Sequence, residues 1–321
     1  MTLASASGSR IASIGECMIE LSATAEAPEL RRLGFGGDTL NTATYLARLG
    51  VAVDYVTALG DDGYSARMLA GWRSEGIGTA LVQRLAGRVP GLYMIDLEAS
   101  GERHFSYWRD RAPAREIFSN SQTPELCRSL MDFDWIYLSG VSLSLYGGEG
   151  RTRLFDLLRE FRSKGGKVAF DSNFRHQGWP SIAEARQEFR RQLAVTDLAL
   201  SSIDDETGLH GVADGAAALD LLHRCGVQLA VIKQGGAGCL VSRGNGATLV
   251  PACRVERVVD ATAAGDSFNA GFLAALLRGD PPEAAARLGH ISAAIVIGHR
   301  GAIAPRDDYL AALGAALKSE T

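Results

Sequence analysis

Short runs of apolar, often β-branched residues alternate along this chain with longer stretches whose apolar positions recur every three or four residues. Ile11–Gly15, Val53–Leu59, Trp135–Ser139, Lys167–Asp171, Leu198–Ser201, Leu229–Lys233 and Cys239–Arg243 read as strands. Asn41–Leu49, Gly63–Ser74, Arg151–Lys164, Ala183–Ala194 and Gly215–Arg224 read as helices. Strands separated by helices of this length predict βαβ units and a mostly parallel sheet. With right-handed crossovers the result is a layered α/β sandwich.

One region breaks the alternation. Ala80–Arg84, Gly91–Leu97 and Glu102–Trp108 are strand-like with no helix between them, and Glu98–Gly101 has the composition of a hairpin turn. A strand cluster inserted into an α/β chain predicts a small sheet standing off the main one, placed to act as a lid. An edge of the main sheet is the plainer alternative. Tyr93, Tyr107, Trp108 and Arg109 are costly residues to leave on such an edge, which favours the lid. The last third is helical, over Ala264–Leu277, Pro282–Ile297 and Asp307–Leu317.

Of the 321 residues, 46% are apolar and 22% charged, enough for a sizeable core and too apolar for a disordered chain. The net charge of −4 argues against nucleic acid or an anionic membrane as the main partner. No apolar run approaches the roughly 18–20 residues of a membrane span. The Ala/Ser-rich Met1–Arg10 lacks the apolar core of a signal peptide and reads as a disordered tail. The five cysteines are scattered and form no CxxC, which predicts reduced thiols in a cytoplasmic protein without a zinc site.

Three glycine-bearing runs carry candidate chemistry. In Asp260-Ala-Thr-Ala-Ala-Gly265-Asp266, small residues lead straight into a helix start. Free backbone N–H groups and the helix dipole there favour a phosphate, and Asp266 in the first turn is placed to take a proton from an attacking hydroxyl. By itself Asp266 is equally well read as a helix-start residue doing ordinary capping. Phe35-Gly36-Gly37-Asp38-Thr39-Leu40-Asn41 is a second glycine turn entering a helix, with Asp38 and Asn41 suited to hydroxyls. Lys233-Gln-Gly235-Gly236-Ala-Gly238 joins two strands and is at least a β-turn. No GxxxxGK[ST] occurs and no GxGxxG follows a strand, so P-loop and dinucleotide readings lose their support.

Together these runs resemble the ribokinase-type (phosphofructokinase-B) carbohydrate kinases, and the similarity extends from Ile11 to about Arg306. The resemblance implies a ribokinase-like three-layer α/β/α sandwich with a mostly parallel sheet. A small β-sheet lid would draw on residues of about 16–35 and 80–110, all within one kinase domain over 11–321. The family's Asp-Thr-x-Gly-Ala-Gly-Asp motif carries Ala261 and Ala263 here at its second and fourth positions. Gly36–Asn41, Tyr107-Trp108-Arg109 and Asp171-Ser172-Asn173-Phe174-Arg175 are most similar to the 2-keto-3-deoxygluconate kinase branch. On that pattern Gly36, Gly37, Asp38 and Asn41 hold sugar hydroxyls, and Tyr93, Tyr107 and Arg109 reach in from the lid. Arg175 meets the substrate and Asn173 the phosphate side. Lys233, Gly235, Gly236, Gly238, Ala263 and Gly265 line the ATP site. The Ala263, Ala264 and Gly265 amides form the anion hole, with Asp266 as base. The family's Asn-x-x-Glu, tied to Mg²⁺ and phosphate, falls at Ser202-Ile-Asp-Asp205, which makes Ser202 a nucleotide-site residue and Asp205 an indirect metal residue. The resemblance also implies ATP and Mg²⁺, a monovalent cation such as K⁺, and a homo-oligomer, dimeric or larger.

The residues support an acidic substrate independently. Tyr107 and Arg109 are two apart and would share one face of a strand. Arg175 follows a strand end, where α/β sheets place ligands. Two arginines at one cleft suit a carboxylate, which a guanidinium grips bidentately, whereas a neutral hexose needs no such charge. The expectation is therefore an ATP-dependent sugar-acid kinase. A neutral-sugar kinase and a non-catalytic sugar-acid sensor are the alternatives, and the retained Gly265-Asp266 counts against the sensor.

Overall fold

Four consecutive residues of the first strand are fully buried, as expected where helices cover both faces of a parallel sheet. The computed structural model describes residues 8–23, 30–97 and 103–319. In chain order the first part holds β1 (Arg10–Ile14), β2 (Met18–Ala23), β3 (Arg31–Gly36), α1 (Asp38–Arg48), β4 (Ala52–Val56), β5 (Ala58–Leu59), α2 (Gly63–Ser74), β6 (Gln83–Arg84), β7 (Leu92–Leu97) and β8 (Arg103–Trp108). Next come α3 (Thr123–Leu130), β9 (Trp135–Ser139), α4 (Gly140–Leu145), α5 (Gly148–Ser163), β10 (Lys167–Asp171), α6 (Ile182–Leu193), β11 (Leu198–Ser202), α7 (Ile203–His210) and α8 (Gly215–Arg224). The chain closes with β12 (Leu229–Lys233), β13 (Cys239–Ser242), β14 (Ala247–Val250), α9 (Ala264–Leu277), α10 (Pro282–Val296) and α11 (Arg306–Ser319).

The eight-stranded sheet runs β14-β13-β12-β11-β10-β9-β1-β4, all in one direction except β13, which is antiparallel to both its neighbours. Tyr45, Leu46, Trp72, Phe272 and Tyr309 pack on one face through α1, α2, α9 and α11. Leu158, Phe161, Phe189 and Leu222 pack on the other through α5, α6 and α8. The outcome is the expected three-layer sandwich.

A second sheet, β3-β2-β7-β8, stands apart from the first. Tyr93 faces Tyr107 and Ile95 faces Phe105 across β7 and β8, and Glu20 faces Tyr93 across β2 and β7. Tyr93, Phe105 and Tyr107 form a ring ladder with centroids 6.1–6.3 Å apart.

Four expectations are corrected. Gln83–Arg84 does not join this second sheet; it pairs with Ala58–Leu59 as a separate two-stranded ribbon, so the small sheet excludes residues 80–84. Val53–Leu59 is two strands, with Thr57 between them. Arg10 already belongs to β1, while residues 1–7 of the expected tail, like the 98–101 turn, lie outside the described residues. Strand β8 ends at Trp108, so Arg109 shares no strand face with Tyr107.

Candidate active site

The C-terminal ends of the parallel strands open into one cleft of about 1450 Å³, where open α/β sheets place ligands. The small sheet roofs one end, contributing Met18, Gly36, Tyr93, Phe105 and Tyr107 to its walls. The other end lies between the Gly235–Gly238 turn, the 252–258 segment after β14, and α10.

Asp266 sits in the first turn of α9 and is 9% exposed. Asn41 Nδ2 donates to its Oδ2 at 2.8 Å, and Thr42 Oγ1 donates to its carbonyl at 3.2 Å. Burial pushes its carboxyl well above the usual carboxylate range; the charge of Asp38 adds to this, and the Asn41 bond opposes it. The side-chain Oδ1 of Asn41 is buried without a hydrogen-bond partner among the described residues and so is open to a donor from the cleft.

The residue capping α9, Ala263, has φ 60°, in the left-handed region that favours glycine. This is the position at which the family motif has glycine. Its neighbour Ala264 spends its N–H on Ala261 O at 3.2 Å. The Gly265 and Asp266 amides make no hydrogen bond among the described residues, so they are the donors left for an anion at this helix start. Asp260 fixes the loop from below, accepting from Thr262 N (2.9 Å) and from Gly301 N (2.8 Å).

Lys233, at the end of β12, is held between Asp171 Oδ1 (3.2 Å) and Asn269 Oδ1 (3.1 Å). A Cβ added to Gly265 would stand 3.5 Å from its Nζ, so the ammonium lies beside the free amide. Asn269 Nδ2 donates to Asp171 Oδ2 (2.8 Å) and to Tyr137 Oη (3.1 Å). Burial raises the Asp171 carboxyl, and Lys233 opposes the rise.

Asn173 donates to Asp38 Oδ2 at 2.6 Å, which ties it to the Gly36–Asn41 turn. Its φ of 26° is also positive; Asn173 and Ala263 are the two such non-glycine residues described, and both line the cleft. Ser202 caps α7 by accepting from Asp205 N at 3.1 Å. Asp205 accepts from Ser172 Oγ at 2.9 Å and lies 3.5 Å from Arg175, whose side chain is 60% exposed. Asp204 is an exposed carboxylate at the cleft with no ion pair among the described residues. No group of three or more His, Cys, Asp or Glu side chains among the described residues could cage a metal. The carboxylates suit a Mg²⁺ carried mainly by phosphates.

Two features escaped the sequence reading. Glu16, in the link from β1 to β2, is buried and paired with Arg109, and Tyr93 donates to Glu20. Burial raises the Glu16 carboxyl against the pull of Arg109. The end of the cleft away from the small sheet is walled by Ala252, Val255, Val258, His290, Ala294 and Ile297. Val258 is 58% exposed, an apolar side chain left open beside small residues of α10, which only the fold reveals. His290 packs on Phe268 (4.9 Å between ring centroids) and meets Val250 O at 3.2 Å.

A buried carboxylate beside a free helix-start amide and a lysine, under an aromatic sheet, supplies the acceptor and donors that phosphoryl transfer to a hydroxyl calls for. Residues 9–308 match the family model for pfkB family carbohydrate kinases, and the chain belongs to that family. It is 46% identical to 2-dehydro-3-deoxygluconokinase of Escherichia coli K12 over 305 residues, covering 93% of this chain and 98% of that one. It is 47% identical to 2-dehydro-3-deoxygluconokinase of Dickeya dadantii, covering 92% and 96%. A putative ribokinase II of E. coli in complex with ATP and Mg²⁺ superposes with a TM-score of 0.83 at 20% identity, covering 97% and 99%. No described helix is long and apolar enough to cross a membrane, and all five cysteines are free.

Proposed function

We propose that the protein transfers the γ-phosphoryl group of ATP to the primary hydroxyl of 2-keto-3-deoxygluconate, in a cytoplasmic setting. The observation carrying this is one cleft that joins the Asp266–Gly265–Lys233 constellation to a wall bearing three arginines, in a chain 46% identical to a 2-dehydro-3-deoxygluconokinase. Asp266, oriented by Asn41, takes the proton of the attacking hydroxyl. Asp38, held by Asn173, and Gly36 and Gly37 receive the sugar. The Gly265 amide and Lys233 face the charge that builds on the transferring phosphoryl oxygens, where fixed donors act most strongly. Gly235, Gly236 and Gly238 let the nucleotide approach the backbone. Mg²⁺, carried on the nucleotide phosphates near Asp204 and Asp205, would neutralise phosphate charge. Arg175 stands where substrate and phosphate sides meet.

The roofing sheet serves as a lid that keeps water from the phosphoryl group. Its outer Trp108 is 56% exposed, and we place a homodimer contact there, checked by sedimentation of the wild type against Trp108→Glu. A coupled ADP-release assay over sugar acids and neutral sugars, with and without Mg²⁺ and K⁺, tests the assignment. Turnover on 2-keto-3-deoxygluconate well above that on fructose or ribose is the expected result, and the reverse preference would reject it.

A further inference from the structure

We propose that Arg115 is a specificity residue that reads the carboxylate of the sugar acid; the inference rests on the function proposed above. The three arginines at the sugar end of the cleft differ in what already satisfies them. Arg109 is paired with the buried Glu16. Arg175 lies 3.5 Å from Asp205, donates to Phe174 O, and is mostly exposed. Arg115 lines the same cleft, is half-buried, and has neither a hydrogen-bonding nor an ionic side-chain partner among the described residues. Asp110, also at this wall, is exposed and forms no ion pair with it. At the opposite end Arg254 also lines the cleft, but on the nucleotide side and exposed.

Arg115 is close enough to Glu16 for its charge to act on that carboxylate, after Arg109. One buried carboxylate therefore stands near two guanidinium groups and is already paired with Arg109, while Arg115 keeps no direct partner among the described residues. A half-buried charge without a partner is unfavourable, and an incoming carboxylate relieves it. The two arginines are also fixed relative to each other. Ala112 N–H bonds Arg109 O at 3.0 Å, and Arg115 N–H bonds Ala112 O at 3.1 Å. Ala112, Pro113 and Ala114 of this turn are buried. A guanidinium carried on so rigid a turn is preorganised for the planar fork a carboxylate accepts.

The test compares kcat/KM for 2-keto-3-deoxygluconate with that for its neutral primary amide, and measures KM for ATP, in wild type, Arg115→Met and Arg115→Lys. Arg115→Met should lose about 10- to 150-fold on the acid, with the amide and KM for ATP unchanged. Arg115→Lys should recover part of the loss on the acid alone. A folded Arg115→Met that keeps the wild-type acid-to-amide ratio overturns the inference. So does an equal loss on both substrates with a raised KM for ATP, which would make Arg115 a nucleotide residue. Wild type inactive on the acid would instead overturn the functional assignment itself, before any variant is made.

Discussion

Asn41 and Asp266 stand 225 residues apart in the chain and 2.8 Å apart in space. The bond fixes one carboxylate oxygen of Asp266 to α1, the helix that starts from the Gly36-Gly37 turn, and so ties the start of α9 to that turn across the cleft. It also explains why burial does not simply leave the carboxyl inert: a donor on one oxygen favours the charged form that catalysis needs.

Asp266→Asn should lower kcat by roughly 10²–10⁴ with little change in KM for ATP. The same variant should be more stable than wild type at neutral pH. Asp266 keeps its proton to higher pH in the folded chain than in the unfolded one. As pH rises through the window between those two values, the unfolded chain ionises first, and stability falls. Asparagine removes that fall, and each kcal/mol regained should move Tm by about 2 °C in a chain of this size. Thermal melts from pH 4 to 8 alongside initial rates check both parts. A variant with wild-type kcat removes Asp266 from the mechanism.

Lys233 and Asp171 separate positioning from catalysis. Lys233→Met should cut kcat/KM for ATP about 100-fold and also destabilise the fold, because Asp171 is left buried without its cation, a loss of about 3–5 kcal/mol. Adding Asp171→Asn should restore most of the stability, since Asn269 can still bond the amide, but none of the rate. Denaturant curves and steady-state rates on the two variants are the measurement. Recovery of rate in the double variant would show that Lys233 acts only by neutralising Asp171.

Elements covered on both faces were legible in the sequence. β9, β10 and β12 are continuous apolar runs, and their expected bounds match the observed ones. The small sheet was harder, because β2 and β3 are only partly buried and carry mixed residues. The two-residue ribbon at Gln83–Arg84 has no periodicity to read. Asp266, Asn41 and Lys233 announced themselves by standing in or beside glycine turns. Glu16 and Arg115 did not, because each acquires its meaning from a partner, or the lack of one, that only the fold brings near.

A buried pair away from the cleft adds its own pH dependence to stability. Glu206 and His210, one turn apart on α7, are 4.0 Å apart, and Glu206 Oε2 and His210 Nε2 are buried without a hydrogen-bond partner among the described residues. Burial pushes Glu206 up to about 7 and His210 down to about 4. As pH rises from about 4.5 to 7, the unfolded chain ionises its glutamate first and stability falls. As pH drops from 6.5 to about 4, the unfolded chain protonates its histidine first and stability also falls. Between pH 4.5 and 6.5 the two slopes oppose each other, so this pair adds little net slope of its own there. Glu206→Gln should unmask acid destabilisation and His210→Gln the opposite slope, each on the order of 3 kcal/mol across its window. Urea midpoints at half-unit pH steps decide it; parallel profiles for all three proteins would discard the pair.

The neighbouring glycines of the sugar turn should fail in different ways when given a methyl group. A Cβ on Gly36 would stand 2.2 Å from Tyr93 Oη, the hydroxyl that bonds Glu20. That atom is the end of a side chain and can swing aside, so Gly36→Ala should fold, displace Tyr93 from Glu20 and raise KM for the sugar acid about 10-fold, leaving KM for ATP alone. A Cβ on Gly37 would stand 2.1 Å from the backbone carbonyl oxygen of Glu16. Backbone cannot swing, and this segment joins the main sheet to the small sheet and carries the Arg109 partner. Gly37→Ala should therefore lose about 2–3 kcal/mol of stability, in the range of an overpacked core, before any kinetic effect is measurable. Tm and the two KM values together distinguish the cases. A Gly36→Ala enzyme with an unchanged KM for the sugar acid would place Tyr93 outside substrate binding, and a Gly37→Ala enzyme as stable as wild type would mean that the β1–β2 link yields where this packing says it is held.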